Sequence, residues 1–273
     1  MKTKNLFIAI LALTGATLGA SSARADFYAT GDLLLGFRST DTAQDYIINL
    51  GPVGNFAGFG DGYSEDLSLG NIGADLSSVF GASWASDPDL YWGVAGAASP
   101  LSPSPATDTL YVGNAEAVFG VPGAPLDEAP RSATYTTGGL INNVGEIADS
   151  VDTTSTNASD AVIQSGSESA TWDSYMPGGS NDANTGLAFK TYQATFEGNS
   201  AAGITGDPLD LYQLTAMNGA GPFPGTYEGT FTINGSGDVN FAVIPEPSTV
   251  GTIVLGAALL GFFGYRRSRA ARA

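Results

Sequence analysis

The sequence predicts a mainly β fold: an antiparallel, sandwich-like domain with one or two short helices, flanked by an apolar segment at each end. Three observations carry that expectation. The 37 glycines, with abundant Ser, Thr, Asn and Asp, supply turn chemistry throughout the chain. Charged residues make up only 14% of it, too few to dress many surface helices. Several separate runs alternate with period two, the repeat of a strand that lays one face on a core.

The first such run is Asp32 to Arg38, with Leu33, Leu35 and Phe37 on one face and Leu34, Gly36 and Arg38 on the other, a half-buried strand. Tyr46, Ile48 and Leu50 alternate likewise until Gly51-Pro52 breaks the run. Ile72, Leu76, Val79 and Phe80 recur at helical spacing and predict a short amphipathic helix from Ile72 to Phe80. Ser99 to Pro105 and Val121 to Pro130 read as loop or extended chain. Asp149 to Ser169, rich in small polar residues, suits either a surface loop or an exposed helix. Leu187 to Glu197 and Leu209 to Met217 predict two further strands, and a slip of the alternation between Phe189 and Tyr192 predicts a bulge. The clearest unit comes last. Tyr227, Gly229, Phe231 and Ile233 share a face, Asn234-Gly235-Ser236-Gly237 supplies a turn, and Val239, Phe241 and Val243 resume the alternation, so a hairpin runs straight into Pro245. No fixed-period repeat is present, which disfavours a solenoid or propeller.

The two ends read as sorting segments. Lys2 and Lys4, an apolar run from Leu6 to Ala20, and Ala23-Arg24-Ala25 follow the order of a secretory signal peptide over residues 1–25, cleaved after Ala25. At the other end Pro245-Glu246-Pro247 precedes Ser248 to Tyr265, eighteen residues without a charge, and then Arg266, Arg267 and Arg269. As a helix those eighteen residues span roughly 27 Å, close to a bilayer's hydrocarbon core, and so predict a single transmembrane helix. The arginines stop it on the cytoplasmic side, and the two ends together put a single domain over residues 26–244 outside the membrane.

Pro245-Glu246-Pro247-Ser248, the apolar segment and the Arg266-Arg267-Ser268-Arg269 tail resemble the PEP-CTERM sorting domain over residues 245–273. That resemblance implies recognition of Pro245, Glu246 and Pro247 by an exosortase-type membrane enzyme. It also implies passage through the secretory translocon and an inner-membrane precursor. The final place is then the surface, outer envelope or exopolysaccharide and biofilm matrix of a Gram-negative bacterium. Gly31 to Arg38, Tyr46 to Gly51 and Asp89 to Val94 are similar to ectodomains carried on this tail, a likeness that implies no activity.

Composition narrows the chemistry. Only Arg38, Arg131 and Lys190 face all 27 acids between Asp26 and Glu246, which disfavours nucleic acid as a partner. Histidine and cysteine are absent, which removes Ser-His-Asp and Cys-His catalysis, His-ligated zinc and disulfides. No Gly-x-Ser-x-Gly run occurs and no carboxylate pair is marked by spacing, so no catalytic residue is expected and the chain is read as a non-enzyme. Calcium is the one cofactor the composition suits, with Asp87, Asp89, Asp182 beside Asn181 and Asn184, Asp207 and Asp210 as candidate ligands. Trp84, Trp92 and Trp172 with Tyr91 and Tyr175 suit either a core or a sugar-stacking platform. The expected role is structural or adhesive, with carbohydrate binding, polysaccharide-active chemistry and a calcium-stabilised structural protein as alternatives.

Overall fold

The computed structural model describes residues 27–98, 109–116, 126, 131–151, 156, 158, 160–176, 196–199, 203–216 and 224–244. The signal at Ala23 and Ala25, the Pro245 to Pro247 motif, the Arg266, Arg267 and Arg269 cluster, Asp182 and the bulge expected near Phe189 lie outside the described residues. No helix among the described residues is long and apolar enough to cross a membrane.

Among the described residues ten strands build one antiparallel sheet, and the protein is mainly β. In chain order they are β1 Asp32–Ser39, β2 Gln44–Pro52, β3 Ser64–Leu67, β4 Leu90–Ala98, β5 Thr109–Ala115, β6 Ala161–Ser165, β7 Glu197–Gly198, β8 Leu209–Thr215, β9 Thr226–Ile233 and β10 Val239–Ala242. Across the sheet they run β3-β10-β9-β8-β5-β4-β1-β2-β6, with β7 paired to β4 beyond the end of its β5 ladder. The helices are α1 Ile72–Phe80, α2 Arg131–Val151 and α3 Trp172–Tyr175.

The sheet curls around α1. Ile72, Leu76 and Phe80 of this helix are buried with Leu33, Leu35 and Phe37 of β1, Tyr46 and Ile48 of β2 and Phe231 and Phe241 of the terminal hairpin. Asn71 caps the helix, its Oδ1 accepting the Ala74 N–H at 3.1 Å. A Cβ on Gly73 would lie 2.1 Å from the Ser236 carbonyl oxygen, so glycine is what lets the helix start against the β9–β10 turn. Phe56, in the short 3-10 turn after β2, has its ring 5.4 Å from both Phe231 and Phe241, which ties the two halves of the sheet together.

The opposite face is covered as well. Leu34, Ile47, Ala95, Val112 and Tyr212 pack beneath Ile141, Val144 and Ala148 of α2 and beneath Trp172. All eight residues of β1 are therefore buried, where the alternation predicted a half-buried strand. The segment from Asp149 to Ser169 contains neither a loop nor a helix throughout: it holds the end of α2 and the edge strand β6. At 21 residues α2 also exceeds the short helices expected. Its apolar stripe is diluted by Gly138, Gly139 and Gly145, yet a Cβ on Gly145 would sit 2.4 Å from the Tyr28 ring, so that glycine makes room for a packed aromatic.

The terminal hairpin forms as its alternation predicts, with one correction of face. The β8–β9 register shifts between Leu211 and Tyr212, leaving Glu228 as an extra residue opposite no partner. Beyond that bulge Tyr227 turns to the α2 face, with its ring 5.9 Å from Tyr212, while Phe231 stays on the α1 face. Gly229, at φ +154°, lies where a Cβ would meet the Phe241 ring at 2.3 Å.

The registers also place the start of β1 and the end of β10. β1 begins and β2 ends where Asp32 pairs Pro52, and β10 ends where Ala242 pairs Ser64. Following the antiparallel ladders through β9, β8, β5 and β4 puts these two points at the same end of the sheet. Tyr28 anchors the start, its hydroxyl donating to Asn142 Oδ1 at 2.7 Å. Val243 anchors the finish, its N–H donating to the Tyr63 carbonyl at 2.9 Å and its carbonyl accepting from the Gly62 N–H at 3.0 Å.

Candidate functional site

The densest chemistry lies at the opposite end of the sheet, on the α2 face. Register alone sets up its floor. Tyr91, Arg38, Asp45 and Gln164 are successive partners across β4, β1, β2 and β6, and two residues along the ladder, on the same face, Gly93 pairs Gly36. The glycine pair leaves an indole-sized slot. A Cβ on Gly36 would fall 2.1 Å from the Trp172 ring and one on Gly93 would fall 3.1 Å from it, so Trp172 of α3 lies flat on bare backbone.

Around the indole stands a charged cluster in which Arg38, Glu197 and Asp45 are buried and Asp173 is partly open to water. Arg38 is 4% exposed. Its Nε donates to both carboxylate oxygens of Glu197, at 3.0 and 2.9 Å, and its Nη2 donates to Oε2 at 2.6 Å. Its Nη1 donates to Asp173 Oδ1 at 3.0 Å, and its guanidinium carbon sits 4.8 Å above the Tyr91 ring. The Trp172 indole N–H donates to Glu197 Oε1 at 3.2 Å. Burial pushes the Glu197 carboxyl up, against the pull of Arg38.

Asp45, 2% exposed, completes the cluster by accepting the Asp173 backbone N–H at 2.7 Å on Oδ2. Burial pushes its carboxyl up to about 7 and the Asp173 charge adds to the rise, while the Asp173 N–H, the Arg38 charge and the Thr171 hydroxyl oppose it. The helix is further fixed by Thr171 and Ser174, which exchange side-chain to backbone hydrogen bonds at 3.1 and 3.0 Å in a capping box. The arrangement clamps α3 to the sheet. A buried acid titrating near neutrality suits proton exchange, while Arg38 and Glu197 bond to each other and to α3 through Asp173 and the Trp172 indole.

A second buried group lies on β8 and β9, where Thr230 Oγ1 donates to Asp210 Oδ1 at 2.8 Å, lies 3.4 Å from Glu116 Oε1 and meets the Tyr227 hydroxyl at 2.7 Å. An open cavity of about 410 Å³ lies near the β9–β10 turn, with Asp66, Gly70, Asn234 and Asp238 among its walls. The Asn234 amide is committed within that turn, donating to Asp238 Oδ2 at 2.8 Å and accepting from the Ser236 and Asp238 N–H groups.

The expected calcium ligands are scattered. Asp87 Oδ1 accepts the Asp89 N–H at 2.9 Å, Asp89 lies 3.4 Å from the Thr40 hydroxyl, Asp207 gives its carbonyl to the Trp92 indole at 2.9 Å, and Asp210 is sealed beneath Thr230. Among the described residues no three acidic side chains gather as a metal site. Of the two options for the tryptophans, Trp84, Trp92 and Trp172 take the core one, each at most 3% exposed. Arg38, Asp45, Asp173 and Glu197 were not candidates from sequence. The available signal was Arg38 itself, an isolated cation in an apolar strand of a chain with few cations.

Comparison of the chain with protein-family models, with curated proteins and with solved structures found no match.

Proposed function

We propose that this chain is an exported, non-enzymatic surface or matrix protein, displayed by a C-terminal sorting tail and acting structurally or as an adhesin. In this reading residues 1–25 are the signal peptide, 245–273 the PEP-CTERM-like sorting signal and 248–265 its membrane helix. The translocon and an exosortase-type enzyme are the partners, and exopolysaccharide the surroundings.

The observation that carries the reading is the position of the exit. The last sheet bonds, at Val243, fall two residues before Pro245, and the start and finish of the domain leave from one end of the sheet. A tail attached there with almost no linker stands the domain upright. Strands of about 3.3 Å per residue then carry the opposite end, with the Arg38 clamp and the Asn234–Asp238 turn, away from the anchor. The packing of the Phe56 ring on both Phe231 and Phe241 supports a sandwich-like closure of the two sheet halves. Deleting residues 245–273 tests the reading by cell fractionation and immunoblotting. The deleted protein is expected in the periplasm or medium, and an envelope-associated fraction equal to that of the intact chain would overturn the proposal.

A further inference from the structure

Among the described residues one buried side-chain polar atom has no hydrogen-bond partner, Gln164 Oε1. Its residue is wholly buried, and its Nε2 donates only at 3.5 Å, to the Val144 and Ala170 carbonyls. An orphaned buried acceptor is costly, and native proteins rarely keep one. Gln164 is also the cross-strand partner of Asp45, and such partners share a face with Cβ atoms about 4.5–5.5 Å apart, within reach of a carboxyl and a carboxamide.

The charges around Asp45 complete the picture. Arg38 faces it from β1, Asp173 from α3 and, beyond the arginine, Glu197 from β7, with Tyr91 of β4 over the guanidinium. β6 contributes only the neutral Gln164 here. On α2 the nearest acids turn elsewhere, Glu146 to solvent and Asp149 to the Phe27 N–H. Three carboxyl groups thus gather at one arginine, which bonds Glu197 and Asp173 and whose charge also acts on Asp45.

We propose that Asp45 is held as the neutral acid in the folded protein and donates its proton to Gln164 Oε1, so that the seating of α3 on the sheet depends on pH. One proton then satisfies the orphaned acceptor and removes a negative charge from beside Asp173, while Asp45 Oδ2 still accepts the Asp173 N–H. The sign follows from linkage. The folded carboxyl, pushed up to about 7, binds its proton more tightly than the unfolded one. Its contribution is therefore full at low pH, is lost as pH rises toward the folded value and is constant above it.

Carboxyl-carbon and indole NMR of the full-length chain in detergent, from pH 4 to 9, tests this. Asp45 is expected to titrate near neutrality, and the Trp172 indole N–H to shift with the same midpoint. In Asp45→Asn, whose amide donates in place of the acid, the indole is expected not to shift and the thermal midpoint at pH 8 to exceed that of the native chain by about 5 °C. In Gln164→Leu the Asp45 midpoint is expected to fall by about one pH unit, since the neutral acid loses its acceptor. An Asp45 midpoint below 5, a midpoint unmoved in Gln164→Leu, or a Trp172 signal indifferent to pH would each overturn the proposal.

Discussion

The two faces of this sheet are held by different physics. On the α1 face, Phe56, Phe231, Phe241 and Leu76 pack in one apolar core, and Asp75 enters it accepting the Tyr46 hydroxyl at 2.8 Å and the Ala158 N–H at 2.9 Å on Oδ2. On the α2 face near α3, backbone is stripped to glycine, one indole fills the slot, and an arginine with three carboxyls locks it. The first arrangement tolerates adjustment because apolar contacts are many and non-directional. The second is specified atom by atom, so it is unforgiving to change and responsive to protons.

Substitutions separate the two. The largest losses are expected from Phe231→Ala and Trp172→Ala, about 3–5 kcal/mol each by denaturant unfolding, because both empty a fully buried aromatic site. Only the second is expected to abolish the pH dependence of the indole region. Arg38→Met should cost about 3 kcal/mol or more by stranding Glu197, and Arg38→Met with Glu197→Leu should recover most of that loss. If the double variant is as unstable as the single one, the clamp is not the ion pair described. Gly36→Ala should cost about 1–3 kcal/mol by lifting Trp172 from its slot. Tyr46→Phe should cost about 1 kcal/mol, since Asp75 Oδ2 keeps the Ala158 N–H at 2.9 Å. The smallest effect has the opposite sign: nothing lies near the Cβ position of Gly139 in α2, so Gly139→Ala should stabilise by about 0.5–1 kcal/mol.

The difference between the faces is also the difference between what was and was not legible in the chain. β1, β2, α1, β8 and the terminal hairpin follow from spacing because each rests on residues within one turn or one strand of each other. The Glu228 bulge hid in the same run, since an unbroken alternation gives no sign that the partner strand skips a residue. The Trp172 slot needs Gly36 beside Gly93 and both beneath a residue much later in the chain, a relation set by register and not by local pattern. Arg38 looked like the polar face of a half-buried strand until α3 covered it. The second cover, α2, was missed because its glycines and threonines weaken the helical signal, and tertiary packing overrides that weakness.

The proposed reading has a sorting tail hold the domain by the end of the sheet where β1 begins and β10 ends. The chain has no cysteine, so single cysteines report position cleanly. A fluorophore placed at Asp61→Cys, in the exposed loop beside Val243, is compared with one at Ser236→Cys, in the exposed turn at the opposite end, in the membrane-anchored precursor reconstituted with lipid-bound quencher. Strong quenching at 61 and little at 236 is predicted, and equal or reversed quenching would contradict the account.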